Sequence, residues 1–273
     1  MEQGGNGQSP VLVRTSDTVE QGGLYVYCIV PACEDVGLGA IGIEDSNIDT
    51  VMYNDLCALV HHCPAEPYHS NDAEAIAIWV LAHHQVVNAA WKRWGAVLPL
   101  TFNTIIKAEH ENSANENLLA WLEVEYESLK AKLDGLREKA EYGVQVFWDT
   151  TRIARQVSAA SPEIKNLEEQ VSTMPRGLAY MYRQKLEVLL KREMEARAME
   201  GFQELYDDIS QWVENIHVEK TKRNEEGPHM LINLSCLVSV ERCRDLEAAL
   251  DKVNDMEGLS VRLAGPLPPY SFC

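Results

Sequence analysis

The sequence predicts an α+β protein of two domains with a long helix between their folded parts. The 273 residues, 46% of them hydrophobic, can bury a sizeable core and exceed the usual size of one domain. Short β-forming runs alternate with amphipathic helices in both halves of the chain. Thr173–Ile216 keeps one helical period throughout. We therefore predict a disordered tail over residues 1–22, an N-terminal α+β domain over residues 23–150 and a C-terminal domain over residues 151–273.

The N-terminal domain begins with a strand and a hairpin. The tail before it is rich in glycine and polar residues, a composition typical of disorder. Leu24–Val30 is a wholly apolar β-forming run ended by Pro31, which predicts a central strand buried on both faces. Ile48–Tyr53 and Leu56–His62 flank a turn at Asn54 and predict a β-hairpin. Because such a hairpin leaves a strand edge open to pairing, Asn54 is a candidate protein contact.

A helix is predicted over Asn71–Trp94, where Asn71 and Glu74 have capping-box spacing. Helical spacing predicts an inward stripe of Ile76, Val80, His84, Val87, Trp91 and Trp94. Trp79 lies off that stripe, so we expect it to face a partner protein. Asn54 and Trp79 are therefore the two candidate interaction residues.

Two further strands and one helix complete the predicted N-terminal domain. Val97–Phe102 and Gly143–Trp148 are predicted strands, and Asn112–Lys139 is a predicted amphipathic helix. The order strand, hairpin, helix, strand, helix, strand is close to that of a ferredoxin-like domain with one extra edge strand. We therefore predict a variant of the ferredoxin-like fold.

The long helix at Thr173–Ile216 predicts coiled-coil-like packing in the C-terminal domain. At about 1.5 Å per residue it would span roughly 60 Å. Thr173 is a candidate cap and Pro175 suits the first turn. A helix of this length needs a partner along one side, and Pro162–Gln170 is the nearest candidate for an antiparallel or coiled-coil companion. The predicted inward stripe is Leu178, Tyr182, Leu186, Leu190, Met194, Ala198, Phe202, Leu205, Ile209, Trp212 and Ile216.

A small α+β unit is predicted to follow this helix. His217–Thr221, Met230–Val240 and Leu259–Ala264 are predicted strands, and Arg242–Asn254 is a predicted helix. Gly265–Phe272 contains three prolines, so we expect it to end the strand ladder and to fold back onto the C-terminal domain.

The charge balance narrows the classes of partner. Twenty-four basic and 42 acidic side chains give a net charge of −18, and this field repels phosphate, which argues against nucleic acid and anionic membranes. No run approaches the roughly 18 to 20 apolar residues of a membrane-spanning helix. Met1–Ser9 lacks the regions of a signal peptide, so we expect a cytoplasmic protein. Seven cysteines, an odd number, are best interpreted as reduced thiols.

Five histidine and cysteine residues are the candidate ligands of a metal ion in this sequence. His61, His62 and Cys63 are adjacent in sequence, and His83 and His84 face them from the first helix if the two elements pack together. Neighbouring residues point to opposite sides of a strand, and structural zinc needs four ligands at suitable spacing. We therefore predict histidines at the edge of the core and no metal.

The sequence also lacks the common motifs of cofactor binding and catalysis. Gly37, Gly39 and Gly42 match the pattern G-x-G-x-x-G, but they do not directly follow a strand and no helix follows them, which indicates a flexible loop. Gly-x-Ser-x-Gly, His-Glu-x-x-His and P-loop patterns are absent. We predict no cofactor and no enzymatic activity.

Six segments of the sequence carry a family pattern. They are Gly23–Val30 (GLYVYCIV), Asn54–His62 (NDLCALVHH), His84–Val87 (HQVV), Val97–Ile106 (VLPLTFNTII), Arg176–Lys185 (RGLAYMYRQK) and Gly265–Phe272 (GPLPPYSF). Together these segments resemble the gas-vesicle accessory proteins of the F/L type. The sequence departs from the family at Thr101 and Asn103, where Arg and Gly are usual, and at Leu267, where Trp is common.

The resemblance implies both the fold and the partners. It implies a two-domain α+β protein whose N-terminal domain is a ferredoxin-like variant and whose C-terminal domain contains coiled-coil helices. It also implies an accessory part in building gas vesicles, in the cytoplasm and at the vesicle, with contacts to the small hydrophobic shell protein and to other accessory proteins. An acidic carrier could hold an aggregation-prone shell protein by strand addition at a sheet edge or by a helix in an apolar groove.

Two other classes of function remain open at this point. Ferredoxin-like domains often bind small molecules, so a regulatory ligand-binding module is the main alternative, although fold analogy supports it weakly. An enzyme that uses the histidine and cysteine residues is the other alternative.

Overall fold

The structure, a computed structural model, describes residues 22–32, 37–221 and 228–273. Within these ranges the chain forms two antiparallel sheets and seven α-helices. The predicted disordered tail lies outside the described residues except for Gly22, which begins the first strand. No helix in the described ranges has the length and hydropathy needed to cross a membrane.

The first sheet has five strands and surrounds the predicted central strand. Its members are β1 (Gly22–Pro31), β2 (Asp49–Tyr53), β3 (Leu56–Pro64), β4 (Leu98–Pro99) and β5 (Ile105–Lys107). The order is β2-β3-β1-β4, and β5 also pairs with β1. The hairpin of β2 and β3 is confirmed. The strand predicted over Val97–Phe102 is shorter, because only Leu98 and Pro99 pair with β1.

Helices cover both faces of the first sheet. On one face α1 (Ala73–Trp94) packs against Tyr25 and Tyr27, and on the other α2 (Ala114–Val124) and α3 (Tyr126–Gly135) pack with Leu24 and Val26. The wholly apolar β1 is therefore buried on both sides, as predicted. The single helix predicted over Asn112–Lys139 is wrong, because the backbone of Glu125 leaves helical geometry, with ψ at 4°, and separates α2 from α3.

The predicted start and orientation of α1 are also wrong. Asp72, not Asn71, caps the helix, because its Oδ1 accepts the backbone N–H of Glu74 at 2.9 Å. His83 is buried in place of His84, and Ile76 lies outside the core. Apolar residues occur on both sides of this helix, so its period fits two orientations and contact with the sheet selects one.

The second sheet contains the strand that the sequence assigned to the N-terminal domain. Its members are β6 (Lys139–Trp148), β7 (Asn215–Val218), β8 (His229–Ser239) and β9 (Leu259–Leu267) in the order β7-β8-β6-β9. The prediction that Gly143–Trp148 closes the first sheet is therefore wrong, because β6 pairs with β8 and β9. Periodicity identifies a strand but not its neighbours, and the residues that pair with β6 lie about 80 to 125 positions further along the chain.

One face of the second sheet is packed along its length. The other face is largely polar, but its end at Glu141 and Leu237 is buried, and Leu237 packs into the core of the first sheet. Helix α7 (Cys243–Asn254) and the C-terminal end of α6 (Arg176–Ser210) cover the packed face, where Leu205, Ile209 and Leu246 meet the sheet. On the opposite face Gln145 donates to Asn233 at 3.2 Å. The strands therefore alternate apolar and polar residues.

The helix predicted over Thr173–Ile216 is confirmed in type and shorter in extent. The hydroxyl of Thr173 donates to the carbonyl of Gln170 within the preceding helix, so Thr173 does not cap α6, and Pro175 occupies the N-cap position. The 35 residues of α6 span about 52 Å. The predicted companion, α5 (Pro162–Thr173), packs against α6, and a further helix, α4 (Thr150–Ala160), contacts both.

Candidate interaction surface

The hairpin tip at Asn54 is held in a fixed position. Asn54 has a φ of 50°, in the left-handed region that asparagine tolerates, and its side chain is exposed. The neighbouring Asp55 accepts hydrogen bonds from the ammonium of Lys130 and the hydroxyl of Tyr126, both on α3. The bond from Lys130 and, to a smaller extent, the bond from Tyr126 hold the pKa of the Asp55 carboxyl below its usual value. The turn is thus tied to the helix layer.

Strand β2 forms one edge of the first sheet. It pairs with β3 along one side, and none of the described strands lies on its other side. Met52 is 47% exposed, whereas Val51 packs into the core. The outer side of such a strand offers backbone groups that another strand can pair with.

Helix α1 presents different residues to the outside from those that the sequence predicted. Trp79 is partly buried against the core, and its ring centroid lies 5.3 Å from that of Tyr68, so the expectation that Trp79 faces away from the core is wrong. Ile78 and Leu81, which are 58% and 66% exposed, occupy the outer side. The sequence signal for them is their spacing, because two apolar residues three positions apart lie on the same face of a helix.

Beneath α1 lies a tyrosine–histidine cluster, formed by Tyr25, Tyr27, His61, Tyr68 and His83. The Tyr25 hydroxyl bonds to Nδ1 of His83, and Nε2 of His61 bonds to the Tyr68 hydroxyl, each at 2.9 Å. The Tyr25 ring stacks on that of His61 with centroids 5.1 Å apart. Nδ1 of His61 and Nε2 of His83 are buried without a hydrogen-bond partner.

Burial keeps this cluster uncharged at neutral pH. Loss of solvent, with a smaller contribution from the neighbouring His62 and His84, lowers the pKa of both His61 and His83 to about 4. The same loss of solvent raises the pKa of Tyr25 and Tyr27, and it raises that of Tyr68 to about 12. Neutral imidazoles that bond to phenols stabilise the interface between the sheet and α1.

Asn103 closes the loop over this cluster. Its φ is 70°, and its side chain accepts the backbone N–H of Tyr68 at 2.9 Å and donates to the carbonyl of Tyr68 at 3.1 Å. The backbone N–H of Asn103 also donates to the Tyr25 hydroxyl. Asparagine therefore occupies a left-handed position that glycine also suits, and it adds side-chain bonds that glycine lacks.

The residues considered for zinc do not converge. His61 and His83 point into the core, whereas His62 and His84 are exposed. Within the described ranges no group of three or more His, Cys, Asp or Glu side chains is arranged to hold a metal ion. His84 instead bonds through Nδ1 to the hydroxyl of Tyr270 at 2.7 Å.

The C-terminal segment joins the two sheets. Tyr270 and Phe272 pack against the two cores of the first sheet, one on each side. The backbone N–H and the hydroxyl of Ser271 donate to the two carboxylate oxygens of Glu141 on β6, each at 2.8 Å. The prediction that this segment folds onto the C-terminal domain is therefore incomplete, since both its aromatic side chains contact the first sheet.

The expectation that the prolines of Gly265–Phe272 end the strand ladder is wrong for the first of them. Strand β9 continues through Pro266 to Leu267, which pairs with Glu141 across a bulge. Gly265 has a φ of 139°, and a Cβ at this position would lie 2.9 Å from the carbonyl oxygen of Glu141. The chain therefore needs glycine here, and this permits the ladder to continue past the first proline.

The chain is similar in sequence to known proteins over most of its length. A family model described as gas vesicle synthesis protein GvpL/GvpF matches residues 23–273. The chain is 30% identical to gas vesicle protein F of Streptomyces sp. over 238 residues, 86% of this chain and 91% of that protein. It is 26% identical to gas vesicle protein L1 of Halobacterium salinarum over 258 residues, 92% of this chain and 90% of that protein.

A solved structure agrees with the fold. The crystal structure of the gas vesicle protein GvpF from Anabaena sp. PCC7120 superimposes with a TM-score of 0.74 at 18% identity, and the match covers 92% of this chain and 98% of that one. At this identity the likeness shows the fold alone, and the match of the family model carries the relationship. The chain belongs to the GvpL/GvpF family of gas vesicle synthesis proteins.

Proposed function

We propose that this protein is a gas-vesicle accessory protein that binds the small hydrophobic shell protein and supports vesicle assembly. Family membership supports the accessory role, and the open edge of β2 carries the proposed contact. A shell protein that keeps an apolar face toward gas aggregates before assembly unless a carrier covers it. The net charge of −18 keeps such complexes dispersed.

The proposed contact surface lies on the unit built around the first sheet. It consists of the β2 edge with Asn54 at its tip, where an extended segment adds a strand, and of Ile78 and Leu81 on α1. Trp79 borders this helix face and supports it from beneath through Tyr68.

The proposed organisation follows from the same surface. The first sheet with its helices acts as an N-terminal domain, a ferredoxin-like variant, and the remainder acts as a C-terminal domain. Exposed apolar residues of α6, among them Tyr180, Met181 and Val188, serve contacts with other accessory proteins. The proposed place of action is the cytoplasm, at the growing vesicle, and the proposed role requires no catalysis.

Capture of the shell protein by the full-length chain tests the β2 contact. Met52→Lys introduces a charge at the β2 edge and should reduce capture strongly. Val218→Lys is the matched control, because Val218 is 51% exposed on β7, an edge strand of the second sheet. Equal capture by both variants would show that the contact lies elsewhere.

A further inference from the structure

A second candidate site lies in the C-terminal part, away from the β2 edge. A cavity of about 440 Å³ opens between α4, α6, the end of β6 and the start of β9. This volume falls within the range of about 300–1,000 Å³ typical of ligand sites. Its apolar lining consists of Trp148, Ile153, Leu205, Leu231, Met256 and Leu259.

Gly201 contributes to the depth of this cavity. It is a buried glycine within α6, and a Cβ there would meet Cδ2 of Leu231 at 3.6 Å, an ordinary contact. A methyl group therefore fits, whereas a longer side chain at this position extends among the lining residues. The absence of a side chain leaves room for about one methyl group between α6 and Leu231 of β8.

The rim of the cavity carries excess negative charge. Arg197 pairs with Glu204 at 3.4 Å, and Glu257 pairs with Arg152, so these charges compensate one another. Asp207 receives a hydrogen bond from the amide of Gln203, a neutral donor, at 2.9 Å. Asp207 and the adjacent Asp208 both line the cavity and leave the rim net negative.

We propose that this cavity binds a basic, amphipathic segment of a partner protein. An apolar side chain of that segment enters among Leu205, Leu231 and Leu259, and neighbouring Lys or Arg side chains pair with Asp207 and Asp208. A small hydrated cation leaves the apolar lining uncovered, whereas a peptide covers the lining and the rim together. Met256, 49% exposed on the rim, supplies a side chain that adapts to its partner.

Fluorescence anisotropy with a dye-labelled leucine–arginine amphipathic peptide tests the proposal on the full-length chain. Asp207→Asn together with Asp208→Asn should weaken binding roughly tenfold, and so should Gly201→Met, which places a long side chain among the lining residues. The matched control is Glu168→Gln together with Glu169→Gln, which removes two adjacent exposed carboxylates from α5 and should change affinity less than about twofold. Circular dichroism establishes that each variant is folded.

Three outcomes would overturn the proposal. Equal weakening by the control pair would indicate attraction to the overall charge only. Binding unchanged by Gly201→Met would place the peptide outside the cavity. Competition by spermine as effective as by unlabelled peptide would indicate a small-cation site instead. Because the shell protein takes no part in this assay, its result is independent of the proposed β2 contact.

Discussion

The two sheets of this protein are buried in different ways. The first is covered on both faces, so every side chain of β1 from Leu24 to Val30 is buried. This includes Tyr25 and Tyr27, whose hydroxyl groups also lie in the core. The second is packed along one face, whereas its other face is buried near Glu141 and Leu237 and more open elsewhere, so its strands alternate, with Val144 inside and Gln145 partly exposed. A continuous apolar run thus marks a strand between two helix layers, and alternation marks a strand with one polar face.

The difference also shows where polar groups stabilise the fold. In the first sheet the tyrosine–histidine cluster is enclosed, and its bonds are made in a site with little solvent, where an unpaired group is costly. In the second sheet Gln145 and Asn233 bond on a partly exposed face, where water has access to both side chains. The first sheet is therefore expected to be the more sensitive to substitution.

The largest expected difference concerns deletion of apolar side chains. Leu59→Ala in the first sheet, where the side chain is fully buried, should lower the free energy of unfolding by about 3 kcal/mol. Phe147→Ala on the outer face of the second sheet, where Arg262 lies over the ring, should cost about 1 kcal/mol. Urea unfolding measures both. Equal losses would remove the proposed distinction between the sheets.

The next difference concerns pH. Folding lowers the pKa of His61 and His83 from 6.5 to about 4, so as pH falls below 6.5 the unfolded chain binds protons first and stability decreases. Between pH 7 and pH 5.5 the loss should be about 1 kcal/mol per histidine, measured by urea unfolding at both values. His83→Gln should reduce this loss by about half. His217→Gln changes an exposed histidine of the second sheet and is the control, with the same loss of stability expected as in the unsubstituted protein. An equal loss in the unsubstituted protein, His83→Gln and His217→Gln would show that His83 does not cause the pH dependence.

A smaller effect is expected where the two sheets meet. Ser271→Ala removes a hydroxyl that donates to the buried carboxylate of Glu141 and should cost about 1 kcal/mol. Hydrogen exchange should then accelerate in the segment after Leu267 and in β6. Ser260→Ala on β9 is the control, because that serine is exposed. If the two variants exchange alike, Glu141 does not anchor the C-terminal segment.

The smallest expected effect is a gain of stability in α6. Gly201→Ala should raise the free energy of unfolding by up to about 1 kcal/mol, because glycine disfavours a helix interior and a methyl group fits beside Leu231. Gly177→Ala, in the first turn, should raise it by only a few tenths of a kcal/mol. A lower melting temperature for Gly201→Ala would show that α6 and β8 are packed too closely for a methyl group.

Several features of the surface were predictable from the sequence and others were not. The hairpin and its tip at Asn54 follow from two β-forming runs around a turn, which is local information. The outward side of α1 was not predictable, because Ile78 and Trp79 are both apolar and only contact with Tyr68 and the core turns Trp79 partly inward. The cavity beside Gly201 has no sequence signal, since its lining comes from β6, α4, α6, β8 and β9, which are far apart in the sequence.

The sequence by itself determined the elements that depend on nearby residues. These include the buried central strand at Leu24–Val30, the long helix with its companion, predicted over Pro162–Gln170 and found as α5, and the family relationship over residues 23–273. Tertiary structure alone decided that β6 joins the second sheet, that His83 and not His84 enters the core, and that Tyr270 and Phe272 cross to the first sheet. The physical reason is that periodicity records which face of an element is apolar, whereas the partner of that face is fixed by contacts between distant parts of the chain.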